Sequence, residues 1–372
     1  MTQRVFVGMS GGVDSSLTAA LLVEQGYDVT GVYMKNWSQD LPGMQCPWAE
    51  DLADAKRVAV QLGIDFIVFD FEHDYKHKVV DYMLAEYQAG RTPNPDIMCN
   101  QEIKFRLFLD TARERGANLI ATGHYAQTGG ACVEDDSAAT SQEHSFQPDR
   151  LYRATDAAKD QTYFLYRVTN NALHHTLFPL GGYTKQQVRH MATERGLWTA
   201  RKQESMGVCF VGNVGMRDFL NQYVSTRPGD IIDKQTGAVL GQHDGAIFYT
   251  LGQRHGLDVG GGLPYYVVGK NMAANVVYVS RNMNDEAMWR HDVLVGDLHW
   301  IHGAPAASDQ LTVRLRHRGQ LRPCTLQYDP AQAQATLHLG DPERAVAAGQ
   351  SAVIYRGTEC LGGGIVVDSV AL

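Results

Sequence analysis

The chain has 372 residues, of which 44% are hydrophobic and 20% are charged, and its formal net charge is −8. Its length predicts two or three domains, and the absence of a run of about 18 apolar residues excludes a membrane-spanning helix. The negative charge disfavours nucleic-acid binding across the whole surface, because such binding depends on neutralising phosphates. Any contact with nucleic acid therefore requires a local basic face.

The amino terminus and the cysteines predict a cytoplasmic protein. The first residues lead directly into an apolar strand and leave no room for a signal peptide. No C-x-x-C pair occurs, which disfavours a zinc ribbon or a dithiol redox motif; the six cysteines are Cys46, Cys99, Cys132, Cys209, Cys324 and Cys360. In a reducing compartment such thiols are mostly inert, so a reactive one needs a local cause.

The first half of the chain predicts strands that alternate with helices. Apolar runs predict strands over residues 5–7, 29–34, 65–71 and 118–126, and helical spacing predicts helices over 49–62, 74–89 and 101–115. This alternation predicts a parallel α/β sheet of the Rossmann type, with a nucleotide bound beyond the carboxyl ends of the strands.

The second half changes in character. Residues 128–149 are polar and predict a surface hairpin or loop. A helical region resumes near Asp156. Thr184 is the expected N-cap of a helix over residues 185–194, which ends before Gly196. From about residue 227 short strands and turns predominate. Strands over 311–316, 324–328, 335–339 and 352–355 predict a compact β-barrel, preceded by a linker at 282–287.

A glycine-rich turn follows the first predicted strand. Residues 8–16 read Gly-Met-Ser-Gly-Gly-Val-Asp-Ser-Ser, and a helix begins within them. Gly11 and Gly12 allow close approach of the backbone, while the serines and the unpaired N–H groups of the helix start suit a phosphate. No Gly-Lys-Ser/Thr ending is present, so this is not a Walker loop. The turn predicts a site that binds pyrophosphate.

Two cysteines lie in unusual surroundings. Pro93 and Pro95 predict an extended loop, with a helix that begins near Cys99. The positive end of the helix dipole would favour the thiolate form of Cys99. Asp96 lies shortly before this cysteine and could serve as a general acid or base. The alternative, that Asp96 only caps the helix and Cys99 is buried filler, stays open. Glycines flank Cys209 in residues 206–212, and this feature alone favours a structural thiol.

The motifs together resemble one family. Residues 10–16 resemble the PP-loop of ATP pyrophosphatases. Further along the chain come Asn94-Pro95-Asp96-x-x-Cys99-Asn100, Ala121-Thr122-Gly123-His124-Tyr125, Lys159-Asp160-Gln161, Gly207-Val208-Cys209-Phe210 and Cys360-Leu361-Gly362-Gly363-Gly364. In this order, and essentially from end to end, they resemble the bacterial tRNA-specific 2-thiouridylases.

The resemblance implies a fold and an activity. It implies a Rossmann-like PP-loop domain over residues 1–205, a small central domain over 206–285 and a tRNA-contacting β-barrel over 286–372. It also implies ATP-dependent 2-thiolation of the wobble uridine in tRNAs for Lys, Glu and Gln. The expected form is a cytoplasmic monomer without membrane contact, supplied with sulfur by a persulfide relay protein or a cysteine desulfurase.

The resemblance also implies site residues. ATP, accompanied by Mg²⁺ without a dedicated protein site, would be held by Gly8, Met9, Ser10, Gly11, Gly12, Val13, Asp14, Ser15, Met34 and Gly123. The implied tRNA contacts are Asn94, Pro95, Asp96, His124, Lys159, Asp160, Gln161, Arg316, His317 and Gln350. Cys209 would carry a persulfide. Cys99 would be the partner nucleophile, either releasing sulfide by forming a Cys99–Cys209 disulfide or attacking the base itself. Asp96 would transfer protons at the base.

The barrel contains the expected basic face. Strand alternation over residues 311–318 predicts that Arg314, Arg316 and Arg318 share one side, where they could contact phosphates. A solvated edge strand would give the same pattern. His317 stands where relatives usually have tyrosine, and a shared RNA role for Arg316 and His317 requires a bulge or strand end.

Two other functional classes compete with this interpretation. A PP-loop synthetase that adenylates a small substrate would need neither paired cysteines nor a basic strand. An RNA-binding module with a vestigial nucleotide site is disfavoured by the intact Asp14 and the two thiols. Within the sulfur-transfer enzymes, an iron–sulfur cluster could recruit Cys46 beside Cys99 and Cys209, although Cys46 has no close second thiol.

Overall fold

A computed structural model describes residues 2–40, 46–129, 149–203, 215–260, 262–282, 285–306, 309–329 and 331–367. Its strands in chain order are β1 Arg4–Gly8, β2 Asp28–Lys35, β3 Asp65–Asp70, β4 Leu119–Ala121, β5 Ala126–Gln127, β6 Leu151–Arg153, β7 Thr176–Leu177, β8 Gly229–Asp233, β9 Val239–His243, β10 Tyr266–Asn271, β11 Val276–Ser280, β12 Trp289–Trp300, β13 Leu311–Arg314, β14 Arg322–Asp329, β15 Gln334–Arg344, β16 Ser351–Arg356 and β17 Glu359–Val366.

The helices belong mostly to the first half of the chain. The α-helices are Val13–Glu24, Trp48–Leu62, Glu72–Tyr75, Asp81–Gln88, Pro95–Met98, Phe108–Glu114, Thr162–Leu165, Asn170–His174, Lys185–Glu194 and Met216–Leu220. Lys76–Val80 and Cys99–Leu107 are π-helical, and Ala246–Phe248 and Glu286–Met288 are 3₁₀ turns. Thr184 caps the Lys185–Glu194 helix through a capping box, as predicted.

The first sheet has the order β3-β2-β1-β4-β7 and is parallel throughout. β1 lies at its centre, so Val5, Phe6 and Val7 are buried, which explains their continuous apolar run. This sheet confirms the Rossmann-like prediction. The single strand predicted over residues 118–126 was wrong, because β4 ends at Ala121 and β5 joins another sheet.

The other two sheets form the smaller parts of the fold. The central sheet has the order β10-β11-β8-β9 around Ile231, Val267, Val277 and Val279. The strands β12-β15-β14-β13-β16-β17 close into a barrel through the β12–β17 pairing. These sheets confirm the predicted small central domain and C-terminal barrel. Among the described residues, no helix combines the length and apolarity needed to cross a membrane.

Glycines explain why sequence reasoning missed strand β17. Gly362 and Gly363 have φ values of +133° and +155°, and a Cβ on either would lie 2.1 Å from a neighbouring carbonyl oxygen. Glycine is disfavoured in strands unless another backbone approaches this closely. The side chains that usually mark a strand would therefore prevent closure of the barrel.

The barrel joins the first domain through a buried ion pair. Strands β6 and β5 extend the barrel sheet beyond β17, with Cys360 paired to Leu151. Beside them the Asp160 carboxylate accepts from Arg314 Nη1 at 2.9 Å and from Arg153 Nε at 3.4 Å. The side chain of Asp160 is 0% exposed and that of Arg314 is 7% exposed. This pair crosses from the first domain to β13.

The predicted face of three arginines is wrong for Arg314. β13 ends at Arg314, and this side chain points out of the barrel onto the first domain instead of into solvent. Arg316 and Arg318 follow the strand end and are exposed. Strand alternation placed Arg314 correctly outside the barrel, but it could not reveal that another domain covers that side.

Replacing Arg314 with methionine should lower the free energy of unfolding by about 3 kcal/mol, because Asp160 loses its principal partner while remaining buried. Urea unfolding followed by the fluorescence of the barrel tryptophans measures this. Arg316→Ala is the matched control and should cost only about 0.5 kcal/mol, because that guanidinium is exposed and its partner Glu343 keeps Arg322. Equal unfolding midpoints for the two variants would contradict a structural role of the buried pair.

Candidate active site

The glycine-rich turn leads from β1 into the helix Val13–Glu24. Gly11 has a φ of +74°, and a Cβ there would lie 2.4 Å from the Asp51 carbonyl oxygen, so only glycine fits. Gly12 is the N-cap and has no side chain to cap the helix. The first N–H groups of the helix therefore lie beneath a turn without bulky side chains, which suits a phosphate.

The serines of the turn differ in exposure. The Ser10 N–H donates to Ser15 Oγ at 3.1 Å, and the two hydroxyl oxygens are 3.3 Å apart. Ser15 and Ser16 are buried and donate their hydroxyls to the Gly12 carbonyl oxygen, at 3.2 and 2.8 Å. Ser10 is exposed, so its hydroxyl is the one presented to a ligand.

The remaining nucleotide residues predicted from the sequence lie around this turn. A Cβ on Gly8 would be 2.9 Å from Met34 Cε, and one on Gly123 would be 2.8 Å from Ser15 N. Met9 and Val13 are buried beneath the turn. The carboxyl ends of β1, β2 and β4 thus bring together residues that lie far apart in sequence. Because a Cβ on Gly8, Gly11 or Gly123 would strike neighbouring protein atoms, only glycine lets these segments pack this closely, and the N–H groups at the helix start form a cradle of donors that suits the pyrophosphate part of ATP.

Lys185 is a neighbour of Asp14 that sequence reasoning missed. Its Nζ donates to both Asp14 carboxylate oxygens, at 2.7 and 2.8 Å, and the Tyr125 hydroxyl donates to the same carboxylate at 2.9 Å. Lys185 is the first residue of the helix Lys185–Glu194. No local pattern links it to a residue 171 positions away, so only the fold reveals the pair.

The helix that carries Cys99 begins earlier than predicted. Asn94 is the N-cap, and its side chain accepts from the Asp96 N–H at 3.2 Å, while Pro95 occupies the first helical position. Proline is favoured at that position because it lacks an N–H that would otherwise be unpaired. The two prolines therefore predicted the loop correctly but hid the helix start. Asp96 lies in the first turn and does not cap the helix.

The dipole argument for Cys99 is consequently wrong. Cys99 lies beyond the first turn, where the effect of the dipole is weak, and it is 2% exposed within the main apolar core. It begins the π-helical segment Cys99–Leu107, a conformation that is frequent at functional sites. Cys209, its predicted partner, lies outside the described residues, as does Cys132.

Asp96 and His124 share an environment near Lys104. Burial raises the pKa of the Asp96 carboxyl, and the Lys104 charge opposes this shift only in part. Burial, together with the charge of Lys104, holds the pKa of His124 well below its ordinary value. Asp96 thus keeps its proton to a higher pH than an ordinary carboxyl. His124 is neutral, bonded to the Thr122 hydroxyl at 2.8 Å and packed against Phe105.

The loop before this helix contacts both other domains at Thr92. The Thr92 N–H donates to the Ala348 carbonyl at 2.8 Å, and the Gln350 amide donates to the Thr92 carbonyl at 2.7 Å. The Thr92 hydroxyl lies 3.2 Å from that of Thr250, in the central domain. We call these four residues the Thr92 junction. It holds the loop that leads to Asn94, Pro95 and Asp96.

The other residues predicted to contact tRNA lie along the border of the first domain and the barrel. Gln161 is partly exposed and bonds the Tyr125 backbone, Lys159 is half-buried, and Asp160 is buried in the ion pair with Arg314. Arg316 is exposed and bonds Glu343. His317 packs against Phe164, with ring centroids 4.4 Å apart and ring planes tilted by 41°.

Cys46 lies two residues before the helix Trp48–Leu62, in a protected setting. Its thiol is half-buried, burial raises its pKa, and its Sγ lies 3.6 Å from the Trp37 carbonyl. Within the described part of the chain, no group of three or more His, Cys, Asp or Glu residues is arranged to hold a metal ion.

Known protein families match successive parts of the chain. Residues 3–213 match the family model described as tRNA methyl transferase HUP domain. Residues 217–281 match the tRNA methyl transferase PRC-barrel domain, and residues 290–366 match the aminomethyltransferase β-barrel domain. A curated relative from Enterococcus faecalis, named tRNA-specific 2-thiouridylase MnmA, is 43% identical over 98% of this chain and 95% of its own. One from Ralstonia nicotianae with the same name is 45% identical over 99% of this chain and 97% of its own.

Among solved structures, a 4-thiouridine synthetase–RNA complex with bound ATP superposes distantly. It is 16% identical, has a TM-score of 0.36, and the match covers 60% of this chain and 50% of the other.

The Thr92 junction yields a prediction that depends on structure alone. Gln350→Leu should lower the protection of the amides of residues 94 and 96–98 against hydrogen exchange about fivefold, because one hydrogen bond contributes about 1 kcal/mol. Thr250→Val should do the same from the central domain. Gln332→Leu, an exposed glutamine of the same barrel, is the control. Unchanged exchange in both junction variants would show that the loop is held elsewhere.

Proposed function

Because the chain belongs to the tRNA-specific 2-thiouridylase family, we propose that it is an ATP-dependent sulfurtransferase acting on the wobble uridine of tRNAs for Lys, Glu and Gln. The observation that carries the proposal is identity of 43% across 98% of the chain with a relative of that name. Residues 1–205, 206–285 and 286–372 are its proposed PP-loop, central and tRNA-contacting domains.

The nucleotide turn would hold ATP so that the uracil 2-oxygen can attack its α-phosphate. Adenylation turns that oxygen into part of a good leaving group, AMP, and releases pyrophosphate. Gly11, Gly12 and the helix start would bind the phosphates through backbone N–H groups, and Ser10 through its exposed hydroxyl. Met34 and Gly123 would border the rest of the nucleotide. Mg²⁺ bound with ATP would neutralise the charge of the pyrophosphate.

Asp96 is the proposed proton-transferring group. It lies in the first turn of the helix Pro95–Met98, two residues after the N-cap Asn94 and next to the loop over residues 91–94 that is proposed to meet the target base, and burial keeps its pKa raised. A carboxyl that stays protonated to a higher pH can donate a proton to a departing oxygen and take it back afterwards. Asn94 and Pro95 would contact the same base.

The two cysteines are the proposed sulfur carriers. Cys209 would receive sulfane sulfur as a persulfide from a relay protein or a cysteine desulfurase. In one route the Cys99 thiolate attacks the inner sulfur, a Cys99–Cys209 disulfide forms, and the outer sulfur leaves as sulfide that attacks the activated carbon. In the other, Cys99 attacks the activated carbon and displaces AMP, the outer persulfide sulfur of Cys209 then displaces Cys99 from that carbon, and the freed Cys99 thiolate attacks the Cys209 sulfur, which leaves 2-thiouridine and a Cys99–Cys209 disulfide. In both routes AMP leaves with the original oxygen.

The tRNA would lie along the border between the first domain and the barrel. Arg316, His317, Lys159 and Gln161 are exposed or partly exposed there. The buried Asp160 would affect tRNA binding through the position it gives Arg314, and the buried His124 through its packing against Phe105, in the segment Cys99–Leu107. Gln350 would hold the loop over residues 91–94 through the Thr92 junction and thereby affect the bound base.

Mass spectrometry of tRNA nucleosides after reaction with ATP and a persulfide donor tests the sulfur transfer. Cys99→Ser and Cys209→Ser should each abolish 2-thiouridine formation, because a hydroxyl cannot carry sulfane sulfur or close a disulfide. Cys209→Ser should accept no sulfur from the donor, whereas Cys99→Ser should accept it and stall. Both variants should still bind ATP.

Cys46→Ser is the matched control for these variants and should remain active. Near-stoichiometric iron in anaerobically purified protein, together with an inactive Cys46→Ser, would replace the persulfide scheme with an iron–sulfur cluster. Release of AMP with a small amide acceptor but not with tRNA would instead favour a PP-loop synthetase.

Arg316→Ala tests the tRNA surface. Its guanidinium is exposed next to the barrel strand end, so its loss should weaken tRNA binding. The log–log salt slope should fall by about 0.7–0.9, the value for one lost phosphate contact. ATP binding should not change, and binding titrations over a range of salt concentrations measure both effects. A wild-type slope would remove Arg316 from the interface.

A further inference from the structure

We propose that Lys185 is a phosphate-binding residue of the nucleotide site, held by Asp14 until pyrophosphate or the phosphates of ATP take the place of that carboxylate. The inference rests on the proposed nucleotide use of the turn and adds a cation to it. Neither the glycine-rich turn nor the predicted nucleotide residues contain a positive side chain, although the ligand they are predicted to bind carries several negative charges.

The position of Lys185 supports this role. Its Nζ lies 2.7 and 2.8 Å from the two Asp14 carboxylate oxygens and 5.7 Å from the centre of the Tyr125 ring. Asp14 is the second residue of the helix Val13–Glu24, whose first N–H groups form the phosphate cradle. A phosphate bound at this helix start would therefore lie beside the ammonium group.

The charge at the helix start explains why a lysine is needed. The positive end of the helix dipole already stabilises the Asp14 carboxylate, so that residue does not depend on a lysine for its own stability. Without Lys185, however, the carboxylate would repel an incoming phosphate. The ammonium group compensates the carboxylate, and it can turn to an anion of higher charge when one arrives.

The backbone of Lys185 is fixed while its side chain reaches across the site. The Thr184 capping box orders the helix start, and the Lys185 N–H donates to the Asp156 carboxylate at 2.9 Å. The side chain is 12% exposed. A lysine on an ordered helix end thus supplies the point charge that a Walker loop supplies from within its own sequence.

Titration calorimetry of the full chain with inorganic pyrophosphate, without Mg²⁺, tests the proposal. Lys185→Met should weaken binding about tenfold or more, the usual effect of losing a charge-assisted hydrogen bond. Asp14→Asn should strengthen binding, because it removes the competing carboxylate. The double variant should bind more tightly than Lys185→Met, because the repelling carboxylate is gone, but more weakly than Asp14→Asn, because the ammonium group is gone as well. Lys185→Arg should restore part of the affinity.

Lys234→Met is the matched control, since Lys234 forms a remote ion pair with Asp285 at 3.2 Å, and it should bind like wild type. Equal affinity of the double variant and Asp14→Asn would show that Lys185 only neutralises Asp14 and would overturn the proposal, as would unchanged binding by Lys185→Met. Absence of both pyrophosphate and ATP binding in the wild type would refute the nucleotide site itself, which is a different failure. Thermal unfolding and circular dichroism confirm that each variant is folded.

Discussion

The carboxylate of Asp160 is the contact on which the arrangement of the domains depends. It is fully buried and shared by Arg153 from the first domain and Arg314 from the barrel. A buried charge is tolerated only when it is paired and hydrogen-bonded, and Thr162 completes the shell at 2.9 Å. Because these partners come from β6, β13 and the helix Thr162–Leu165, the pair fixes the barrel against the first domain in one orientation.

That orientation places the barrel where it can hold the base-binding loop. The same barrel supplies Ala348 and Gln350 to the Thr92 junction, while the central domain supplies Thr250. Thr92 lies seven residues before Cys99 in the sequence. All three parts of the fold therefore meet close to the helix that carries the proposed nucleophile. A disturbance of the barrel can change the site without any contact to the base.

Electrostatic conditions differ between the two halves of the candidate site. At the nucleotide turn, Asp14 is partly exposed and compensated by Lys185, so charges there can exchange partners when an anion binds. At the other helix, burial raises the pKa of Asp96 and keeps His124 neutral. A polar, open cradle suits phosphates, whereas a less solvated pocket suits proton transfer at a neutral base. The nucleotide turn follows β1 and His124 follows the neighbouring strand β4, so these two groups of residues lie at the same edge of the sheet.

The sequence alone determined the features that depend on neighbouring residues: the α/β alternation, the glycine-rich turn, the capped helix over Lys185–Glu194 and the barrel class. It also identified the family through short motifs. Tertiary structure decided the burial of Arg314 and Cys99, the Asp14–Lys185 pair and the Thr92 junction. The physical reason is that local pattern records which side of an element a side chain occupies, whereas burial and charge pairing depend on which distant element covers that side.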